Sequence, residues 1–171
     1  GLEGCHKFLK RLWALSFKIS SLENDAFGAS EKTLNDECKD LFIKINDDYE
    51  KRLNLNTVVS SCMEILNNIN KRFDGKKVLC DKSDLYTCYD FLLLALSPIA
   101  PHISENLYKN ILNKDIQNAS WPEESFFLKN ETEVKYLVQV NGKVRANILI
   151  DSDKSEEDVK EIAKDHENVS R

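Results

Sequence analysis

The run Phe91-Leu-Leu-Leu-Ala-Leu-Ser-Pro-Ile-Ala-Pro-His-Ile-Ser-Glu-Asn-Leu107 is the densest apolar stretch of this 171-residue chain. It is too short to cross a bilayer, which takes about 20 apolar residues. Proline disfavours a helical conformation in the residue before it and is best tolerated in the first turn of a helix. The run therefore predicts two helices, one ending near Leu96 and the next beginning near Pro98, that meet at a corner in the centre of a bundle. Pro98, Pro101 and His102 then have structural roles.

The composition indicates a globular, mainly helical protein. Apolar residues make up 42% of the chain and charged residues 31%, while Gly (5) and Pro (3) are scarce. The net charge of −5 argues against a generic nucleic-acid-binding protein, because such proteins are basic on average. This argument concerns the whole chain and leaves room for local basic surfaces.

The cysteines and the start of the sequence indicate the cellular compartment of the protein and its relation to a longer chain. The five cysteines are scattered and contain no Cys-x-x-Cys pair, which predicts a reducing compartment, no disulfide framework and no zinc site. We find no signal peptide or membrane span and expect a cytoplasmic, monomeric protein without a membrane partner. The sequence starts without Met, so we expect it to be part of a longer protein.

Three further segments show apolar residues at intervals of three and four, which is typical of amphipathic helices. They cover residues ~2–20, ~31–52 and ~54–73. With the two helices beside Pro98, the first of which Ser83 would cap, they predict a five-helix bundle over residues 1–115. Trp13 adjoins the apolar stripe of the first helix, so we expect it in the core, with a partner-facing role as the alternative.

The helical period breaks after residue 115. Residues 116–132 contain Trp121-Pro122 and are predicted to form a linker, in which Trp121 is structural. From Val134 the apolar period becomes two, and Asn141-Gly142 is a strong hairpin signal. Residues 133–171 therefore predict a small α+β unit with a β-hairpin and a short helix that begins near Ser155. This unit has little to bury, so we expect it to be the first part of a larger domain.

The hairpin register offers two alternatives. A two-residue loop would pair Val140 with Lys143, whereas a three-residue loop would pair Val140 with Val144 and Val138 with Ala146. The second register keeps one face apolar, and the buried face determines register. We therefore predict the longer loop or a bulge, with Lys143 at the tip.

No catalytic motif, phosphate loop or metal-ligand cluster occurs in the sequence, so the chemistry favours binding. Basic residues are concentrated in two places. The first helix has a net charge of +3, and the segment from Gln139 to Ile150 has +2 with no acid. Such local cations are able to grip a polyanion. They are equally typical of ordinary solvated faces, and the residues alone leave both alternatives open. The candidate RNA-binding residues are Lys7, Lys10, Arg11, Gln139, Lys143 and Arg145.

Five motifs, in the same order along the chain, resemble those of bacterial-type leucyl-tRNA synthetases. Val138-Gln-Val-Asn-Gly-Lys-Val-Arg145 is similar to the hairpin that opens the C-terminal domain of that family. The other four lie at residues 1–13, 53–57, 96–107 and 119–122. The 96–107 corner resembles the anticodon-binding bundle of the class I synthetases for leucine, isoleucine and valine.

The resemblance implies a parent enzyme that joins leucine to its tRNA with ATP and Mg²⁺, cofactors that this segment itself would not bind. The catalytic and editing domains would lie elsewhere in the parent chain, and this segment would contact them and leucine tRNA. The resemblance implies that Lys143 and Arg145 contact tRNA, that Arg11 does so more weakly, and that His102 is structural. The alternative hypothesis is a helical protein-interaction module without an RNA ligand, which the composition permits.

Overall fold

A computed structural model describes residues 2–28, 32–128, 133–140 and 143–151. The chain divides into two compact units, residues 1–127 and 128–171. The first unit is a helical bundle and the second contains an antiparallel β-hairpin, which confirms the predicted fold class. The helices of the first unit are α1 (Leu2–Ser20), α2 (Leu34–Asp47), α3 (Leu55–Lys71), α4 (Lys82–Leu96), α5 (Pro101–Leu112) and α6 (Glu124–Phe127).

Helix α4 is the centre of the bundle. All six residues from Phe91 to Leu96 are buried, as are Leu85, Cys88 and Tyr89. A helix that is apolar on every side is buried on every side, and α4 contacts α2, α3 and α5. The apolar run therefore organises the bundle as the sequence predicts.

The corner after α4 is a hydrogen-bonded turn. The Ala100 N–H donates to the Leu96 carbonyl at 2.8 Å, and the Ser97 hydroxyl donates to the Leu94 carbonyl at 2.8 Å. Helix α5 begins at Pro101 rather than near Pro98, because the intervening residues form this turn. Pro101 occupies the first helical position, where its missing N–H costs nothing.

His102 follows in the first turn of α5 and is exposed. Its side chain forms no hydrogen bond or ion pair with the described part of the chain. The structural role assigned to His102 therefore stays a prediction, while the turn itself is built from backbone and Ser97 contacts.

Residues 116–127 pack on the bundle rather than forming a free linker. Trp121 lies 5.2 Å from Phe91 and 5.8 Å from Tyr49 between ring centroids, and its Nε1–H donates to Asn46 Oδ1 at 2.7 Å. Phe126 stacks at 5.4 Å on Phe42. The polar residues around Trp121 predict a linker. The aromatic side chains of residues 116–127 instead close one side of the core, so the compact unit extends to residue 127.

Two short strands that the sequence did not predict follow α3. They are β1 (Phe73–Asp74) and β2 (Lys77–Val78), joined by a turn in which Gly75 has φ +60°. Beside them, Arg72 is 8% exposed and connects several elements. Its guanidinium lies 3.0 Å from Glu37 in α2 and donates to the carbonyls of Lys32 at 2.9 Å and Leu79 at 3.2 Å.

Two further predictions about the helices are wrong. Asp81, not Ser83, precedes α4, and Ser83 lies inside the first turn. Trp13 lies outside the core with 42% of its surface exposed. The apolar positions of α1 that do face inward are Phe8, Leu12, Leu15 and Ile19.

The second unit contains β3 (Glu133–Val140) and β4 (Lys143–Asp151). Val138 pairs with Ala146 as predicted, but Val140 pairs with Lys143, so the three-residue loop with Lys143 at its tip is wrong. The register shifts by one residue between Val138 and Gln139, which makes Arg145 the extra residue of β4. A bulge was the alternative to the longer loop in the prediction. It restores the pairing of Val138 with Ala146 although the connection is short. The predicted helix near Ser155 lies outside the described residues.

We predict that Arg72→Met lowers the free energy of unfolding by about 2–3 kcal/mol. The substitution keeps the apolar stem but leaves two carbonyls and a partly buried carboxylate without their partner. Urea unfolding followed by far-UV circular dichroism measures the loss. Glu37→Gln is the control, with an expected loss below about 1 kcal/mol because the Glu37 side chain is partly exposed. Equal losses of stability in the two variants would mean that the hydrogen bonds from Arg72 to the two carbonyls contribute nothing to the free energy of unfolding.

The two tryptophans allow a matched comparison. We predict that Trp121→Ala destabilises the bundle by about 2–4 kcal/mol, since it opens a cavity against Phe91 and Tyr49. Trp13→Ala should change stability by less than about 0.5 kcal/mol, because its ring lies outside the core. The same unfolding measurement compares them, and a larger loss for Trp13→Ala would contradict the assignment of 116–127 to the bundle.

Candidate nucleic-acid interface

Helix α1 presents its basic residues outward. Its buried residues recur at intervals of three and four and face the rest of the bundle, so the positions between them lie on the outer side. Lys7, Lys10 and Arg11 are all exposed, as the sequence predicts for a solvated or ligand-binding face. The helix has four cations and one acid, Glu3.

The cations of α1 differ in how they are held. Arg11 donates to Asn67 Oδ1 at 2.6 Å, and Lys18 donates to Asn70 Oδ1 at 3.3 Å, so α3 positions both side chains. Lys7 pairs with Glu3 at 2.6 Å, but both side chains are exposed and such a pair contributes little. Lys10 forms no ion pair or hydrogen bond within the described ranges, which leaves its charge available to a ligand.

Two exposed aromatic rings accompany these cations, and the sequence predicts the exposed position of Trp13 only as an alternative and that of Phe17 not at all. Trp13 is 42% exposed and Phe17 62% exposed. Their ring centroids lie 6.2 Å apart with an interplanar angle of 67°. The spacing in the sequence indicates this arrangement. Lys10, Trp13 and Phe17 follow each other at intervals of three and four, so they share one face of the helix.

In the second unit, the backbone places the other candidates at the connected end of the hairpin. Lys143 is the first residue of β4 and pairs with Val140, and Gln139 pairs with Val144. Arg145 is the bulged residue two positions on. A bulge is often found where a strand re-aims a side chain for binding. The hairpin therefore brings Gln139, Lys143 and Arg145 within a few residues of its connection.

The titratable groups of the bundle core indicate structure rather than catalysis. Burial raises the pKa of Cys62 to about 12, that of Cys80 to about 11 and that of Tyr49 to about 12. These groups are neutral at physiological pH, and Tyr49 donates its hydroxyl proton to the Ala95 carbonyl at 2.6 Å. A hydrogen bond from Cys88 lowers the pKa of the Cys38 thiol, although both residues are buried.

Neither a metal centre nor a membrane span is found in the described part of the chain. No three His, Cys, Asp or Glu side chains there are grouped so that they could hold an ion. Among the same residues, each helix is too short or too polar to cross a bilayer. The arrangement that remains is a set of exposed cations with two aromatic rings on α1, and a basic hairpin.

Comparison with known proteins agrees with the resemblance seen in the motifs. Residues 31–161 match the family described as the anticodon-binding domain of tRNA ligase. Over its full length the chain is 36% identical to a leucine–tRNA ligase of Marinobacter nauticus and 38% identical to one of Petrotoga mobilis. A leucine–tRNA ligase of Shewanella frigidimarina is 33% identical, again over the whole chain.

The chain spans about a fifth of the length of these relatives, covering 20%, 22% and 20% of them respectively. The matched family region includes α2 to α6 and both strands of the hairpin. The family match therefore covers most of the helical bundle and the described hairpin. The chain therefore belongs to the family of anticodon-binding domains of tRNA ligases.

Proposed function

We propose that this chain is the tRNA-binding portion of a leucine–tRNA ligase. The observation that carries the proposal is the similarity of the entire chain to ligases for this one amino acid. The parent protein would attach leucine to its tRNA with ATP and Mg²⁺ as a cytoplasmic monomer. Its catalytic and editing domains would be the partners of this segment, which would position the tRNA and perform no chemical step.

The charge distribution supports a polyanionic ligand at particular places. The whole chain carries −5, whereas α1 carries +3 and residues 139–150 carry +2. Association with RNA depends on a limited number of cations at phosphates, so the average charge does not prevent it. Lys10 supports this role because its ammonium group is exposed and uncommitted within the described ranges.

The hairpin supports backbone recognition rather than base reading. A-form RNA has a deep, narrow major groove that side chains read poorly, and proteins recognise it through shape, phosphates and 2′-hydroxyls. Lys143 supplies a point charge, and Arg145 supplies a planar donor group that is suited to phosphate. Their position beside a short connection, with a bulge at Arg145, would suit contact with a curved RNA surface.

The proposal predicts that Lys143→Ala combined with Arg145→Ala weakens binding of a leucine tRNA transcript to the chain by about tenfold at moderate salt. The slope of the logarithm of affinity against the logarithm of salt concentration should fall by about 2, since two phosphate contacts are lost. Filter binding or fluorescence anisotropy over a series of salt concentrations measures both quantities.

Lys76→Ala combined with Lys77→Ala is the matched control. These two lysines are exposed at the β1–β2 hairpin, so the control removes the same charge from the same kind of element. The control should leave affinity within about twofold. An unchanged affinity and salt slope in the Lys143 and Arg145 variant would contradict the proposed role of the β3–β4 hairpin.

A further inference from the structure

The outer side of α1 carries an aromatic pair that the bundle does not use. Trp13 and Phe17 are two of the six exposed large apolar side chains in the described ranges, and both lie on one helix face. Within its unit, α1 packs on α5 and α3 through its opposite side. An exposed apolar pair on one face of a small domain marks an interaction surface more often than a scattered single residue does.

The geometry of the pair leaves ring faces available. The rings meet edge to face, at 67°, so they do not stack on each other and at least one face of each ring is uncovered by the other. The Ser16 and Ser20 hydroxyls donate to the carbonyls of Trp13 and Phe17 at 2.6 and 3.0 Å. The backbone that carries the rings is one continuous helix from Leu2 to Ser20, so both rings project from the same element.

The surrounding charges distinguish between ligand classes. Lys10 lies one turn from Trp13 and Lys7 one turn further, while the single acid of the helix, Glu3, is already paired with Lys7. Protein–protein interfaces are depleted in lysine at their centres. Proteins that bind single-stranded nucleic acids instead combine aromatic rings, on which bases stack, with cations that follow the phosphates.

We propose that Trp13 and Phe17 stack on unpaired nucleotides of a bound RNA, with Lys10 and Lys7 at the adjoining phosphates. This inference rests on the proposed function for the identity of the RNA, a tRNA, and extends it by assigning base contacts to α1. Arg11 and Lys18, held by Asn67 and Asn70, form the α3 side of the same basic surface. Together these residues define the α1 stacking face.

Tryptophan fluorescence tests the proposal directly, because the chain contains two tryptophans. In a Trp121→Phe variant, with its fold checked by circular dichroism, all tryptophan emission comes from Trp13. A short single-stranded RNA of mixed sequence and a leucine tRNA transcript should both quench this emission. A blunt duplex of the same short strand should leave it nearly unchanged, since its bases are already stacked.

An affinity measurement on the otherwise unaltered chain provides the second readout. Trp13→Leu combined with Phe17→Leu should weaken binding of the single-stranded RNA by about tenfold or more. Leu79→Ala is the control, because Leu79 is similarly exposed, at 47%, on another element. It should leave binding unchanged.

Three results would overturn the stacking proposal. Unchanged Trp13 emission at saturating tRNA would assign the face to a protein contact, and equal quenching by the duplex would reduce it to a phosphate contact. A concentration-dependent change in emission without RNA would assign the face to a second copy of the chain. A tRNA affinity that does not depend on Lys143 and Arg145 would instead contradict the proposed function. In that case, quenching of Trp13 emission by single-stranded RNA would still support the α1 stacking face.

Discussion

Burial of the second half of α4 on every side is the constraint on which the rest of the bundle depends. Six consecutive side chains, Phe91 to Leu96, are removed from water, which requires neighbours on every side of that helix. Helices α2, α3 and α5 supply three of these sides. Trp121, Phe126 and Phe127 supply aromatic contacts to Phe91, so the segment after α5 completes the enclosure of the core.

The same arrangement separates stability from binding. The helix that is most buried has few side chains to offer a ligand, and its polar groups serve the packing, as the hydrogen bond from Tyr49 to the Ala95 carbonyl illustrates. The cations lie on α1, at the periphery of the first unit, and on the hairpin of the second unit. The residues that we propose to bind RNA are therefore able to vary without changing the core, which is the usual relation between a rigid scaffold and its functional surface.

Much of the fold could be predicted from the sequence, because helices pack through regular apolar intervals. The five long helices and the hairpin follow from apolar periodicity together with the proline positions and the Asn141-Gly142 turn signal. The packing of residues 116–127 could not be predicted, since Trp121 and Phe126 find their partners, Phe91 and Phe42, far away in sequence. The prediction that Trp13 lies in the core is wrong for a related reason. Trp13 borders the apolar stripe of α1, and the packing of the neighbouring helices determines which residues at that border are covered.

The candidate site was predictable in part. Net charge by segment identified the basic residues of α1 and of the hairpin. A bulge was one of the two predicted alternatives that keep one face apolar, but its position at Arg145 depends on the connection, which periodicity does not describe. The exposure of the aromatic pair on α1 could not be predicted, because tryptophan and phenylalanine occur both in cores and on binding surfaces and residue type does not distinguish the two.

We propose that α4 holds the fold while α1 and the β3–β4 hairpin bind RNA. Hydrogen-exchange mass spectrometry of the chain with and without a leucine tRNA transcript distinguishes these roles. We expect slow exchange at Phe91–Leu96 that tRNA does not alter, with protection gained in α1 and in residues 133–151. Protection gained at the α4–α5 corner, with none in α1 or the hairpin, would contradict it.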